Sequence, residues 1–405
     1  MQRLPIDPAR MLDDLDQIRR IGAVGLGVAR RAFDDSDIAA RRWLAERMEA
    51  AGLRAVADPE GNLWGLPPGP GRALLIGSHS DTQPLGGWLD GIYGVACGLE
   101  IARAARAVGG PPVAVVSFQD EEGRFGGLTG SAVWAGAMAR DAADALTDAD
   151  GITWASARRR AAEIAPLAEV PADLFRAYLE PHIEQGPVLD TSGDVLGVVE
   201  AIVGVRQATV TFTGEANHAG TTPMQLRRDA MRGVIAFGTA LDAALAPIAD
   251  ARTVWTNGRI TVEPNAPSIV PGLARVSVQM RDADAGRLGA MAEAMRATAG
   301  RTAAALGLGL EVAEGLSLDP VQMDGRLVAA LAEGAEETCP GRWRRMPSGA
   351  LHDASHVARV LPSGMLFVPS IRGISHNPAE NTRREHLASG LTALAWAASS
   401  EALPG

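Results

Sequence analysis

The first half of the chain alternates helical and strand-like apolar patterns. Apolar residues at helical spacing between Pro8 and Gly52 predict two helices. Short apolar segments at 55–58, 63–65 and 73–76 predict strands, and the segment from Ile92 to Val108 predicts a helix that stops at two glycines. Residues 113–118 form an apolar run interrupted only by Ser117, which is typical of a strand buried on both faces. This succession predicts a helix-covered, mainly parallel α/β sheet.

The pattern changes after Gly204. Residues 207–213 and 274–280 alternate between apolar and polar positions, whereas 228–246 and 285–306 are alanine-rich segments with helical spacing. This arrangement predicts a smaller, inserted α+β domain with a ferredoxin-like β-α-β pattern and half-exposed antiparallel strands. We place it at 206–318, within a larger domain at 1–205 and 319–405. The larger domain is expected to finish with a helix at 327–337, a strand at 366–369 and a closing helix at 387–403.

Length, charge and cysteine content narrow the class of protein. The chain has 405 residues, which favours two domains. Its formal net charge of −10 argues against a nucleic-acid partner. The sequence lacks the roughly 18 uninterrupted apolar residues of a membrane-spanning helix. Two cysteines, Cys97 and Cys339, are too few for a disulfide framework. We therefore expect a cytoplasmic protein with no membrane partner.

Histidines and acids lie where predicted strands end. His79 follows the strand at 73–76, and open α/β sheets bind ligands at the carboxyl ends of their strands. Asp81 is placed to accept the second ring N–H of His79, as carboxylates do beside metal-bound imidazoles. Asp90 precedes a predicted helix, where capping is the alternative role. A loop histidine beside a capping aspartate is the corresponding alternative for His79 and Asp81.

Further candidates follow other elements of the larger domain. The strand at 113–118 runs into Asp120, Glu121 and Glu122, and three adjacent acids are unfavourable unless a cation or proton lies among them. His182 and His376 lie in similar polar, glycine-containing segments. Each histidine alone is more typical of an ordinary loop. Together, three imidazoles and a carboxylate cluster describe a centre for two cations that share one carboxylate.

Six ordered segments carry a resemblance to a known family. They are GSHSDTQPLGGWLDGIYGV, SFQDEEGRFGG, EPHIEQGP, GEANHAGTTPM, SGALHDA and GISHNPAE. In this order they resemble the dinuclear-metal amidohydrolases of the M20 peptidase-related superfamily. The most similar branch contains N-carbamoyl-L-amino acid hydrolases, allantoate amidohydrolases and β-ureidopropionases. The resemblance covers nearly the whole chain.

The resemblance implies a complete catalytic centre in the larger domain. One metal would be held by His79, Asp90 and His182, and the other by Asp90, Glu122 and His376, with Asp90 as the bridge. Asp81 would orient His79, and Glu121 would be the general base. These nitrogen and oxygen donors suit several divalent metals. The resemblance implies two ions per subunit, Zn or Mn, with Co or Ni as alternatives.

The resemblance also assigns roles to the inserted domain. It implies a lid and dimerisation domain, with His218 reaching the active site of the partner subunit in a homodimer and stabilising the oxyanion. Asn265 and Arg281 match positions that bind the substrate's carboxylate, for which the planar guanidinium of arginine is suited. A surface ion pair is the alternative for Arg281. Gln185 and His352 are further candidates for substrate binding.

The expected substrate is a small ureido or amide compound bearing a carboxylate. We rank an N-carbamoyl-L-amino acid first, allantoate second, and a ureidopropionate or acyl amino acid third. Two departures from the allantoate pattern support this order: Val205-Arg206-Gln207 at the start of the inserted domain, and Leu351 in SGALHDA. An inactive metal-binding relative is the non-enzymatic alternative, but no candidate ligand is missing.

Overall fold

The computed structural model describes residues 3–400 of the chain. Its strands are β1 Ala23–Val24, β2 Gly27–Val28, β3 Arg54–Ala57, β4 Leu63–Leu66, β5 Ala73–His79, β6 Val113–Phe118, β7 Phe175–Ile183, β8 Leu196–Ile202, β9 Gly204–Thr213, β10 Asn217–His218, β11 Val254–Glu263, β12 Ile269–Val270, β13 Leu273–Asp282, β14 Gly309–Leu318, β15 Val321–Gln322, β16 Trp343–Ser348 and β17 Ser363–Val368.

The α-helices are α1 Pro8–Ile18, α2 Asp35–Ala50, α3 Ile92–Ala107, α4 Thr129–Trp134, α5 Arg140–Asp144, α6 Trp154–Ala157, α7 Val188–Ser192, α8 Ala230–Leu245, α9 Ala285–Leu306, α10 Gly325–Thr338, α11 Ala354–Val357 and α12 Arg384–Ala398. Short 3-10 helices lie at Arg158–Glu163, Ala172–Leu174, Met224–Leu226 and Ile371–Gly373. Within residues 3–400, every helix is too short or too polar to cross a membrane.

Backbone contacts divide the chain into two compact units. One contains the described residues up to Glu200 and from Gln322 onward, and the other contains Ala201–Val321. We expected an inserted domain at 206–318. The observed second unit therefore extends slightly further at both ends.

The first unit is organised around a large mixed sheet. In the described part of the chain nine strands form it, in the order β15-β8-β17-β7-β5-β6-β4-β3, with β16 paired to β8. The central pairs β5 with β6, β5 with β7 and β7 with β17 are parallel. The outer pairs β3 with β4, β4 with β6 and β8 with β17 are antiparallel. The prediction of a mainly parallel sheet is therefore correct only for the centre; the short turn between β3 and β4 requires an antiparallel pair.

The centre of this sheet is fully buried. All residues of β5 and β6 are buried, and α3 packs against both strands. β5 extends to His79 rather than ending at Ile76, so the histidine is itself the last residue of the strand. β7 was not predicted from the sequence. Its buried residues include Glu180, Pro181 and His182, which interrupt the apolar pattern of a central strand.

The second unit is a four-stranded antiparallel sheet covered by two helices. The strand order is β11-β13-β9-β14, and α8 and α9 pack against the sheet. Alternate residues of β13 enter the core, among them Val276, Val278 and Met280. The predicted antiparallel β-α-β pattern is present, but β11 and β14 were missed. Both are edge strands whose side chains are mostly exposed, so their sequences carry little alternation.

The chain returns to the first unit through α10, β17 and α12. α10 and α12 pack against each other and against β17. The closing helix was predicted to reach residue 403; α12 ends at Ala398, and residues 401–405 lie outside the described part.

Candidate metal centre

Neighbouring strand ends bring the candidate ligands together. β5, β6 and β7 are adjacent and parallel, so the residues at their carboxyl ends meet at one edge of the sheet. His79 ends β5, His182 is the last residue but one of β7, and the acids Glu121 and Glu122 follow β6. Asp90 lies just before α3, and His376 lies in the loop that follows β17.

One group of possible ligands is completely buried. His79, Asp90 and His182 each offer a donor atom, and these atoms lie within 4.8 Å of one another. Oδ1 of Asp90 is 3.3 Å from Nε2 of His182. The Nδ1 atom of His182 is 2.8 Å from the carbonyl oxygen of Ile183, which orients Nε2 toward Asp90.

A second group shares Asp90 with the first. Asp90, Glu122 and His376 also offer donor atoms within 4.8 Å of one another. Nε2 of His376 lies 3.2 Å from Oδ2 of Asp90 and 3.4 Å from Oε2 of Glu122. The two carboxylate oxygens of Asp90 therefore face different histidines, as a carboxylate shared by two cations requires.

Burial and crowding shift the pKa values of several groups in the cluster. Burial lowers the pKa of His79 to about 3, so its imidazole is neutral and able to coordinate. Burial and the charge of Asp90 raise the pKa of Glu122 to about 7. The hydrogen bond with Asp90 raises the pKa of His376 to about 9, although burial opposes that shift. Crowded carboxylates retain protons unless other positive charge is supplied, so the donor set fits a divalent metal.

Glu121 lies beside both groups without belonging to either. Its Oε2 atom is 3.6 Å from Nε2 of His79, and its side chain is 12% exposed. Burial and the neighbouring Glu122 raise the pKa of Glu121 well above its usual value. Glu121 therefore keeps its position as the candidate for a general base at the ligand cluster.

The environment of Asp81 differs from our expectation. Nδ1 of His79 is 3.1 Å from the backbone oxygen of Asp81, whereas the nearer carboxylate oxygen is 3.7 Å away. The carboxylate of Asp81 instead accepts a hydrogen bond from the backbone N–H of Glu122. The irregular segment that follows β5 brings the backbone carbonyl closer to the ring. The expected orientation of His79 by the Asp81 carboxylate is thus replaced by an interaction with its carbonyl.

Gln185 and His352 lie at the centre. Nε2 of Gln185 donates to both oxygens of Asp90, at 3.1 and 3.0 Å. His352 is buried, with its ring centroid 4.5 Å from that of His182 and its Nε2 2.9 Å from the hydroxyl of Ser348. Sequence-based candidates for substrate binding are therefore in contact with the ligand groups.

The remaining candidates lie in the second unit. His218 is exposed in β10, and its Nδ1 accepts hydrogen bonds from the backbone N–H groups of Gly220 and Thr221. Asn265 is exposed at a positive φ of 54°. Arg281 is half-buried at the end of β13, where Nε donates to Gln279 and burial lowers the guanidinium pKa.

Several supporting residues were missed by sequence reasoning. Gln83 holds Glu122 through its side-chain amide and its backbone N–H. Glu180 accepts from the hydroxyl of Ser78 and from the backbone of Ala354. Asp120 accepts from Phe125, Gly126 and Thr129 and so closes the loop that carries Glu121. An acid within an otherwise apolar segment, as in Tyr178-Leu179-Glu180, was the signal available for Glu180.

Comparison with known proteins gives consistent matches over most of the chain. Residues 75–400 match the Peptidase family M20/M25/M40. The chain is 36% identical over 393 residues to the N-carbamoyl-L-amino-acid amidohydrolase of Paenarthrobacter aurescens, covering 94% of this chain and 95% of that protein. It is 37% identical over 380 residues to the allantoate amidohydrolase of Escherichia coli (strain K12), covering 91% and 92%.

A solved structure matches just as broadly. The crystal structure of an amidase of the hydantoinase/carbamoylase family from Burkholderia phymatum superposes with a TM-score of 0.93 at 44% sequence identity, covering 99% of each chain. The similarity therefore includes both units of the fold.

Proposed function

The chain belongs to peptidase family M20/M25/M40, and from this premise we propose that it is an amidohydrolase that cleaves N-carbamoyl-L-amino acids. Water would break the ureido C–N bond to the amino acid nitrogen. The products would be the free amino acid and carbamate, which decomposes to ammonia and carbon dioxide. The observation that carries the proposal is the position of Asp90 between two groups of metal-ligand donors.

The donor set supports two divalent ions per chain. His79, Asp90 and His182 would hold one, and Asp90, Glu122 and His376 the other. Three imidazoles and two carboxylates without a thiolate suit Zn or Mn, with Co or Ni as alternatives. When bound, such ions lower the pKa of water and supply positive charge for the developing oxyanion.

Glu121 would manage the protons of the reaction. Its raised proton affinity lets it accept a proton from the attacking water and return it to the leaving nitrogen. Asp81 would support this region through the backbone of Glu122 rather than through the ring of His79. Gln185 and His352 are close enough to Asp90 and His182 to contact a bound ureido group.

Residues of the second unit would bind the rest of the substrate. We assign the binding of the substrate carboxylate to Arg281, whose planar guanidinium can donate two parallel hydrogen bonds, and to Asn265. His218 would donate to the oxyanion. Because Nδ1 of His218 already accepts two backbone N–H groups, the neutral ring carries its proton on Nε2. Nε2 is therefore a hydrogen-bond donor.

We further propose a homodimer in which His218 acts at the site of the partner subunit. The segment after His218 exposes Met224 and Leu226, which are 59% and 69% accessible. Exposed apolar residues next to a candidate catalytic group are typical of a surface that is covered in an assembly. A cytoplasmic location, expected from the two free cysteines, stays a prediction.

Allantoate is the second candidate substrate. The allantoate relative is as similar in sequence as the carbamoyl relative, so identity does not rank them. Val205 and Gln207 are the residues of Val205-Arg206-Gln207 that depart from the Gln-Arg-Arg pattern of allantoate enzymes, and the side chain of Gln207 accepts a hydrogen bond from Gln279. Leu351 lies directly before His352 and adds a side chain beside a candidate substrate residue. Both features favour the carbamoyl substrate.

A substrate panel tests the proposal. Purified protein is stripped with EDTA, reloaded with Mn²⁺ or Zn²⁺, and assayed for ammonia and free amine. The panel contains N-carbamoyl-L-methionine, allantoate, 3-ureidopropionate and N-acetyl-L-methionine. We expect metal-dependent turnover, fastest with the carbamoyl amino acid. Turnover of the acetyl compound alone would assign an acylase, and no turnover with any metal would favour the inactive relative.

A further inference from the structure

Glu380 connects two loops that carry candidate metal ligands. Its Oε1 atom accepts hydrogen bonds from the backbone N–H groups of Leu89 and Asp90, both at 3.1 Å. Its Oε2 atom accepts from the hydroxyl of Ser375 at 2.9 Å. Ser375 directly precedes His376 in the chain. The carboxylate of Glu380 therefore binds the backbone of Asp90, which belongs to both ligand groups, and the side chain of Ser375, which precedes the ligand candidate His376.

The surroundings of Glu380 leave little room for movement. The residue is only 2% exposed. A Cβ atom added to Gly87 would lie 2.0 Å from Oε1 of Glu380, so the loop before Asp90 packs directly on the carboxylate. The loop also includes a positive φ of 66° at Gly91. This segment is not part of a strand or helix, so the carboxylate supplies hydrogen bonds that regular structure would otherwise provide.

We propose that Glu380 is a positioning residue that fixes Asp90 relative to His376. This role rests on the proposed metal centre. The hydroxyl of Ser375 also lies 3.5 Å from Oδ2 of Asp90. Glu380 and Ser375 together therefore contact both the backbone and the side chain of Asp90. Loss of the Glu380 carboxylate would leave the buried N–H groups of Leu89 and Asp90 without an acceptor. The loop that carries Asp90 could then change its conformation.

The expected effect is on metal affinity rather than on folding alone. Residues that orient metal ligands typically contribute about 10- to 100-fold in affinity. Glu380→Ala should weaken Mn²⁺ binding by that amount. Glu380→Gln should restore it, because the amide oxygen can accept from Leu89 and Asp90 while the amide nitrogen donates to Ser375.

Glu100→Ala provides a matched control. Glu100 is also a fully buried carboxylate that accepts a backbone N–H, from Asp7, but it contacts Arg10 rather than a candidate ligand. Its replacement should lower the midpoint of thermal unfolding in EDTA without changing Mn²⁺ affinity. A purely structural role of Glu380 would give the same result as this control.

The experiment is a titration of the full-length protein with Mn²⁺, with free ion measured by electron paramagnetic resonance. Weaker binding in Glu380→Ala, with recovery in Glu380→Gln, supports the role; equal affinity in wild type and Glu380→Ala overturns it. If Glu380→Ala does not fold, Glu380→Asp replaces it. This side chain keeps the charge but is too short to hold both loops, so unchanged affinity there also overturns the role. Failure of the wild type to bind Mn²⁺ would instead overturn the proposed function.

Discussion

Oδ2 of Asp90 lies 3.2 Å from Nε2 of His376, although the two residues come from opposite ends of the chain. The other oxygen of Asp90 faces His182 at 3.3 Å. A single carboxylate therefore joins two sets of donors: one set has two histidines, His79 and His182, and the other has His376. This division makes the contribution of each histidine separable by experiment.

The metal content of single-histidine variants should reveal two sites. Of the two groups that share Asp90, His376→Ala removes a donor only from the one with Glu122, and His182→Ala only from the one with His79. We expect each variant to retain about one ion per chain where the wild type retains about two. Asp90→Asn should weaken both sites. The measurement is elemental analysis after dialysis against limiting Mn²⁺; unchanged content in both histidine variants would contradict a shared centre.

Glu121→Gln should separate catalysis from metal binding. Because Glu121 is outside both ligand groups, the variant should retain its metal. Its kcat should fall by about 10²- to 10⁴-fold, as expected when a general base is removed. Steady-state kinetics and elemental analysis on the same preparation provide the test. Glu163→Gln, a change at an exposed residue paired with Arg160, is the control. Retained turnover in Glu121→Gln would show that another group accepts the proton.

Arg281→Lys should affect substrate binding more than chemistry. The ammonium group cannot reproduce the two parallel hydrogen bonds of the guanidinium. We expect KM for N-carbamoyl-L-methionine to rise about tenfold, with kcat nearly unchanged. The same change at Arg275, on the same strand but paired with Glu263, is the control. A substrate whose carboxylate is replaced by an amide should not distinguish wild type from Arg281→Lys; an equal loss with that substrate would oppose the assignment.

His356 should make stability depend on pH. Burial, assisted by the charge of Arg359, lowers the pKa of His356 to about 4. In the unfolded chain the value is about 6.5, so the unfolded state binds more protons between these limits. The contribution of neutral His356 to the free energy of unfolding is therefore fully present above about pH 6.5. It decreases as the pH falls toward 4, by about 1.4 kcal/mol per pH unit.

Urea unfolding in EDTA, with wild type compared with His356→Asn at several pH values, measures this contribution. The free energy of unfolding of the wild type relative to the variant should decrease as the pH falls from 6.5 to 4. A difference that is constant over this range would mean that the imidazole has the same pKa in both states.

The sequence predicted the parts of the fold with strong periodicity. β6 and α9 were placed at their observed ends, because β6 is an apolar run interrupted only by Ser117 and α9 has a long helical pattern. β7 was missed because it carries His182 and Glu180 in its buried interior. β11 and β14 were missed because edge strands with exposed side chains lack alternation. Strands that bury polar residues and strands that face solvent are thus the hardest to recognise from the sequence pattern alone.

Local motifs and family resemblance indicated the candidate metal ligands, but not the contacts that hold those ligands in position. His79, Asp90, Glu122, His182 and His376 lie in motifs with chemically distinctive residues, and the structure brings them to one edge of the sheet. The link from Glu380 to Leu89 and Asp90 depends on a contact between distant loops. At Asp81 the backbone carbonyl, rather than the carboxylate, lies nearest to the ring of His79, and this depends on the local geometry of the segment after β5. Neither arrangement follows from residue spacing.

The most direct test is an anomalous-difference map from crystals of the Mn²⁺-loaded protein. We predict two peaks about 3.5–4 Å apart, on either side of the Asp90 carboxylate. One peak should be bound by His79 and His182, the other by Glu122 and His376, with Glu121 next to both but bound to neither. A single peak, peaks away from Asp90, or a Glu121 side chain turned out of the centre would contradict the proposed mechanism.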